Sequence, residues 1–171
     1  KVRMLFVWLA TYDLNELDEI NPPIGSVREQ LLQIPREKHS RTRLFIKMCR
    51  LAELETKEIR GVFRDTSIDG REHLNATSSW AAVLIDQSWR LFDPNPASRQ
   101  KNTQSPLHFS YNDHFFLTDP EAFIFTHFPS DKKWQLLARP VTRQEFDQLA
   151  YLDPGFFETG LTLESHRKVI I

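Results

Sequence analysis

An apolar hairpin between Ser78 and Pro96 is the strongest hydrophobic pattern in the chain. Every residue from Trp80 to Ile85 is apolar, which is typical of a strand buried on both faces. A polar turn at Asp86-Gln87 follows, and Trp89–Phe92 is predicted to form the returning strand. The second strand therefore presents Asp93 at its end, where an acidic side chain could take part in chemistry.

Three stretches show helical patterns. From Val2 to about Tyr12, apolar residues recur with the i, i+3, i+4, i+7 spacing of an amphipathic helix. Ser26 and Glu29 have the spacing of a capping box and predict a short helix from Val27 to about Ile34. The most helical stretch runs from about Ser40 to Glu53, and its wide apolar face predicts a central helix covered on more than one side.

The rest of the chain alternates short strands and short helices. The predicted elements are a strand at Ile59–Phe63, a turn at Ser67–Gly70, a polar approach at Arg71–Thr77, an exposed loop at Asn95–Ser105, a strand at Phe115–Leu117, a helix capped by Thr118 or Asp119 and ending at Pro129-Ser130, a short apolar run at Trp134–Leu137, and a helix from the Thr142/Glu145 capping box to about Leu152. This order lacks the regular βαβ rhythm of a parallel sheet. We therefore predict an α+β fold with a central helix packed on a mainly antiparallel sheet.

The composition favours a single folded domain over residues 1–171, because 40% of the residues are hydrophobic and 12% are aromatic. The phenylalanines at positions 115, 116, 123, 125 and 128 are expected to lie in its core. Both ends of the sequence interrupt a pattern, so we expect a fragment of a longer multidomain protein. Twenty-two basic and twenty-three acidic residues give a formal charge of −1, which argues against nucleic-acid binding. The sequence lacks a run of about eighteen apolar residues, and we expect no membrane insertion.

Residue types that hold metals or form disulfides are sparse. Cys49 is the only cysteine, which fits a reducing compartment such as the cytoplasm, and it is predicted to be a buried structural thiol. The six histidines, at positions 39, 74, 107, 114, 127 and 166, show no metal-ligand spacing. His127 is predicted to pack at a helix end or to cap its C terminus. We expect no metal and no cofactor.

Four sequence words connect the chain with a known family. They are LFIKMC in the central helix (Leu44–Cys49), WAAV and WRLFDP in the hairpin (Trp80–Val83 and Trp89–Pro94), and FFLTDPEAFIFTHFPSDKKWQLL (Phe115–Leu137). Together they resemble the transglutaminase-like domain of the papain-like cysteine-hydrolase superfamily, and in particular that of the kyphoscoliosis peptidase and hillarin group. The last word is long and specific, and the resemblance covers nearly the whole chain. It implies a transglutaminase-like core.

The resemblance also implies where a catalytic triad would lie. In active members a Cys at the amino end of the central helix is the nucleophile, a His on the first hairpin strand is its base, and an Asp after the second strand orients the His. Aligning LFIKMC puts Lys38 at the Cys position, and aligning WAAV puts Ser78 at the His position. Asp93 alone keeps its place and, without a His partner, is expected to cap a turn or accept a nearby N–H. Cys49 lies eleven residues beyond position 38, roughly 16 Å along the helix, and cannot replace the nucleophile.

Other roles for these positions stay open. Ser78 and Lys38 face one another in the family fold and could form a nucleophile and base dyad if burial lowered the pKa of the lysine. His39 could instead be the base, with Ser40 or Ser78 as the nucleophile and Asp93 orienting the imidazole. The cleft could also bind a peptide or a carboxylate without turnover, with Lys38 as a charge anchor.

The two replaced positions predict a catalytically inactive domain that works as a protein-interaction or scaffolding module. The resemblance implies protein partners of the cytoskeleton, because the family is associated with filamin and the contractile or cortical cytoskeleton. A cytoplasmic, cytoskeleton-associated location is expected. A basic run at positions 36, 38, 41 and 43 could meet an acidic partner, although a solvated helix face explains it as well.

Overall fold

The computed structural model of the protein describes residues 1–12, 22–33, 40–64, 76–98, 100–101, 109–152, 154–161 and 163. The helices in these ranges are α1 (Val2–Thr11), α2 (Val27–Gln33), α3 (Arg41–Leu51), α4 (Pro94–Ala97), α5 (Pro120–Phe123), α6 (Arg143–Asp147) and α7 (Pro154–Glu158). The strands are β1 (Thr56–Phe63), β2 (Ala76–Ile85), β3 (Ser88–Phe92), β4 (Gln100–Lys101), β5 (Phe109–Ser110), β6 (Phe116–Thr118) and β7 (His127–Pro129). The predicted turn at 67–70, most of the approach at 71–77, and positions 99 and 102–105 of the predicted loop lie outside the described residues.

Five of these strands form one antiparallel sheet in the order β6-β3-β2-β1-β7. The β2–β3 hairpin turns at Asp86 and Gln87, whose φ angles of 48° and 62° are those of a two-residue turn that matches the twist of the strands. Trp80, Ala81, Ala82 and Val83 are all 0% exposed, as predicted for a strand covered on both faces. The α+β fold with a mainly antiparallel sheet is therefore confirmed.

Helix α3 is the predicted central helix. Its N-cap Ser40 accepts a hydrogen bond from the backbone N–H of Arg43, which satisfies one free donor of the first turn. Leu44, Phe45 and Cys49 are buried, and α3 contacts α1, α4, β1 and β2. The helix is thus covered on more than one side, as its wide apolar face predicts.

The segment after β6 differs from the expectation. The helix predicted to reach Pro129 ends at Phe123, and the chain then forms β7, which pairs with the edge of β1. Alternating aromatic and β-branched residues between Phe123 and Phe128 suit a strand as well as a helix, so the free edge of β1 decides the outcome. The loop predicted at 95–105 also begins with α4, and α6 stops at Asp147 rather than near Leu152.

A second, smaller core is formed by Ile124 and Phe125, which precede β7, and by Phe146 and Leu149, which follow it. Arg64, only 1% exposed at the end of β1, donates hydrogen bonds to the backbone oxygens of Leu149 and Phe146 at 3.0 and 2.7 Å. The buried guanidinium therefore joins the sheet to the segment that follows it.

Candidate functional site

Asp93 lies where the sequence predicts it, directly after β3. Its side chain is fully buried, and Oδ1 accepts a hydrogen bond at 3.0 Å from the backbone N–H of Asn95, which caps α4. Its own N–H donates to the backbone oxygen of Phe115 at 3.1 Å. The expectation that Asp93 caps a turn is therefore confirmed.

The second oxygen of Asp93 has a histidine partner, contrary to expectation. His127 Nε2 lies 3.1 Å from Asp93 Oδ2, and both side chains have no exposed surface. His127 is the first residue of β7, and its ring packs on Phe123, the last residue of α5, as predicted for a histidine at a helix end. Two strands, β2 and β1, separate β3 from β7 in the sheet order, so the contact requires a sheet curled enough to bring its two sides together.

Aromatic side chains surround His127. Phe123 stacks on the imidazole, with ring centroids 3.7 Å apart and an interplanar angle of 10°. The other ring centroids within 6.0 Å belong to Phe63, Trp80 and Phe115. This cage excludes water, so the hydrogen bonds within it operate at a low effective dielectric constant.

The hydrogen bonds of His127 indicate where its protons lie. Thr126 Oγ1 lies 3.3 Å from the backbone oxygen of Phe123, to which its hydroxyl donates, and 2.8 Å from His127 Nδ1. We assign the hydroxyl proton of Thr126 to the Phe123 oxygen; because a hydroxyl donates only once, Nδ1 then carries a proton and donates to Thr126. One further proton then lies between Nε2 and Asp93 Oδ2. The pair holds that proton jointly and is electrically neutral as a whole.

Burial shifts the pKa values of Asp93 and His127 in opposite directions. It raises the pKa of Asp93 above the usual range, although the hydrogen bonds from His127 and Asn95 oppose it. It lowers the pKa of His127, and the nearby carboxyl group of Asp93 partly offsets this. Both directions favour a neutral pair over an unpaired buried charge.

Of the other two triad positions, the structure describes only Ser78. Ser78 lies on β2 opposite Gly61 of β1 and is partly exposed. Lys38 lies outside the described residues, and so does His39. Of the three sequence-predicted site residues, the structure thus assigns a buried hydrogen-bonded role to Asp93 alone.

Thr42 links the elements around the site, which the sequence does not suggest. It is fully buried in the first turn of α3, and its hydroxyl donates to the backbone oxygen of Ser79 at 2.9 Å. Asn95 Nδ2 donates to the same hydroxyl oxygen at 2.8 Å. These bonds connect α3, β2 and α4.

Cys49 is a buried structural thiol, as predicted. It is 0% exposed, and burial raises its pKa to about 12. A thiol that stays protonated and out of contact with solvent is a poor nucleophile. Within the described ranges, no group of three metal-ligating side chains occurs, and none of the helices is long and apolar enough to cross a membrane.

The α+β fold with its antiparallel five-stranded sheet agrees with that of a transglutaminase-like domain. The chain is 29% identical over 180 aligned positions to hillarin of Drosophila melanogaster and 30% identical over 181 to the LIM and transglutaminase domain protein of Caenorhabditis elegans. It is 28% identical over 172 positions to the kyphoscoliosis peptidase of Homo sapiens. These alignments cover 94%, 94% and 97% of the chain, and the resemblance to the kyphoscoliosis peptidase and hillarin group is confirmed.

The chain spans only about a quarter of the length of these relatives, 22%, 24% and 26% respectively. A shorter match, 29% identical over 98 positions and 57% of the chain, is to cytokinesis protein 3 of Schizosaccharomyces pombe. No family profile matches the chain.

Proposed function

We propose that this domain is catalytically inactive and serves as a protein-interaction or scaffolding module. The observation that carries the proposal is the engagement of Asp93. Its carboxyl group is hydrogen-bonded to His127 inside an aromatic cage, and neither side chain has exposed surface. An acid in that state cannot orient a second imidazole at position 78, where the chain has Ser78.

The chemistry of the remaining positions supports the same conclusion. Lys38 stands at the sequence position where the family has the thiol, and a protonated amine is not a nucleophile. His127 cannot act as a substitute base because Phe123 stacks on its ring and no substrate proton can come within hydrogen-bond distance.

A cytoskeletal setting is the second part of the proposal. A relative over nearly the whole chain is named for LIM and transglutaminase domains, and a partial relative is named for cytokinesis. We infer that this domain works in the cytoplasm with protein partners of the cytoskeleton, filamin-like proteins among them, as one part of a longer chain.

An assay of the purified chain tests the inactive state. Incorporation of a dye-labelled amine into casein reports transamidation, and release of dye from labelled casein reports proteolysis. We expect both rates to equal those of buffer alone, with an active transglutaminase and papain as positive controls. Activity that disappears in Ser78→Ala or Lys38→Ala, but not in the surface control Lys57→Ala, would establish the Ser78 and Lys38 dyad and overturn the proposal.

A non-catalytic cleft is a second candidate, and Arg41 is the observation that favours it. Arg41 begins α3, and its Nε is buried without a hydrogen-bond partner in the part of the chain that the structure describes. Burial also lowers the pKa of Arg41. A carboxylate of a bound peptide would satisfy this guanidinium, and retention of the chain on immobilised peptide carboxylates that Arg41→Gln abolishes would support the idea.

A further inference from the structure

Helix α5 is flanked by two cavities of about 280 and 290 Å³. Both are open to solvent, and Phe125 and Glu121 line both of them. Val141 and Leu149 complete the apolar wall of the first cavity, and Phe157 and Leu161 that of the second. We call this pair of cavities the α5 groove.

The floor of the α5 groove is buried and apolar. Phe125 and Leu149 are only 4% and 9% exposed, and the ring of Phe157 packs 5.7 Å from that of Phe125. Leu161, by contrast, is 57% exposed at the rim. A preformed apolar floor beside an exposed leucine is typical of an interaction surface.

The size of the cavities indicates what kind of ligand they accept. Each is slightly smaller than the ~300 Å³ at which pockets for small molecules begin. Each therefore suits one large apolar side chain better than a whole metabolite. Because the two cavities meet at Phe125, two side chains of one extended segment could fill them together.

The rim of the α5 groove carries an excess of negative charge. Asp119 and Glu121 line the second cavity, and Glu145 lines the first. Arg139, 3.7 Å from Glu145, is the basic residue among the lining side chains. This local field attracts Lys and Arg and repels phosphate, although the whole chain has a formal charge of only −1.

We propose that the α5 groove binds an extended segment of a partner protein that carries two large apolar side chains with basic residues between them. One apolar side chain fills each cavity, and the basic residues face Glu121 and its acidic neighbours. The proposal rests on the inferred role as an interaction module and assigns that module a surface and a partner chemistry. The groove is formed without Ser78 or Asp93, so its occupancy does not depend on the triad positions.

Fluorescence anisotropy with synthetic peptides tests the proposal on the full chain. The probes are three fluorescein-labelled peptides in which two leucines are separated by one, two or three lysines. In the first control set glutamates replace the lysines, and in the second serines replace the leucines. We expect at least one lysine peptide to bind, and to bind about 10-fold more tightly than both of its controls.

Matched variants locate the binding. Leu161→Ala should weaken it about 10-fold, and Glu121→Gln roughly 3-fold with a smaller effect at high salt. Leu51→Ala and Glu55→Gln remove an exposed leucine and an exposed acid elsewhere, and should leave binding unchanged. Both groove substitutions are at exposed side chains, and unchanged melting curves would verify folding.

Two outcomes would overturn the inference. One is that no lysine peptide binds more tightly than its controls, and the other is that binding survives both groove substitutions. Neither outcome affects the inactive state, which the transamidation and proteolysis assays test separately. Conversely, enzymatic activity with intact peptide binding would overturn the proposed function and leave the groove in place.

Discussion

Replacing Asp93 with Asn tests the shared proton of the buried Asp93–His127 pair through the pH dependence of stability. Asn has the size of Asp and keeps both hydrogen bonds, because its Oδ1 accepts from Asn95 N–H and its Nδ2 donates to His127 Nε2. The change removes only the shared proton. The pH profile of unfolding should therefore change shape while the fold is kept.

The number of protons bound by Asp93 and His127 in the folded and unfolded states determines how the free energy of unfolding of the unchanged chain depends on pH. When it is unfolded, Asp93 and His127 titrate near pH 3.9 and about pH 6.5. Between these values both the unfolded and the folded pair hold one proton, so the pair makes no contribution to the slope. Above about pH 6.5 the unfolded pair holds none, and the free energy of unfolding falls by up to ~1.4 kcal/mol per pH unit until the folded pair loses its proton.

The same proton counts predict how stability changes at low pH. The raised pKa of Asp93 causes the loss of stability at high pH, and the lowered pKa of His127 causes a loss below about pH 3.9, where the unfolded pair holds two protons. In Asp93→Asn the folded His127 stays neutral. The free energy of unfolding of the variant should not change with pH above about pH 6.5. Below that value it should fall by up to ~1.4 kcal/mol for each pH unit.

Urea unfolding followed by tryptophan fluorescence between about pH 5 and pH 9 measures both profiles. The control Glu55→Gln removes an exposed carboxylate and should reproduce the profile of the unchanged chain. Parallel profiles for Asp93→Asn and the unchanged chain above about pH 6.5 would refute the shared proton. Asp93 would then be an ordinary carboxylate that accepts from a neutral imidazole.

One further substitution and one chemical treatment test the packing around the site. A Cβ at Gly61 would lie 2.1 Å from the backbone oxygen of Phe128 and 2.6 Å from the Trp80 ring, so Gly61→Ala should cost about 3 kcal/mol or more of unfolding free energy in urea titrations. An unchanged urea midpoint would contradict the close approach of β1 and β7. Cys49, with its pKa raised to about 12 and no exposed surface, should not react with Ellman's reagent at about pH 8 until the chain is unfolded. Rapid reaction of the folded chain would show that the thiol is accessible.

The sequence pattern predicts the helices and strands in which buried apolar residues recur at regular spacing. The hairpin of β2 and β3, the amphipathic α1 and the central α3 follow from apolar periodicity and from polar turn or cap residues such as Ser40. The pattern fails after Phe123 because a short aromatic run does not distinguish a helix from a strand. Pairing with β1 at the sheet edge, a contact between distant parts of the chain, selects the strand.

The sequence by itself determined which chemical groups the triad positions offer. Lys38 and Ser78 replace a thiol and an imidazole, and Asp93 keeps the acid, whatever the packing around them. Only the tertiary structure decided what that acid does, because its partner His127 lies thirty-four residues away on another strand. Periodicity and spacing describe neighbours along the chain, whereas the proton shared by Asp93 and His127 depends on a curled sheet and a water-excluding aromatic cage. The sole sequence signal for His127 was its place in the word THFP, which names no partner.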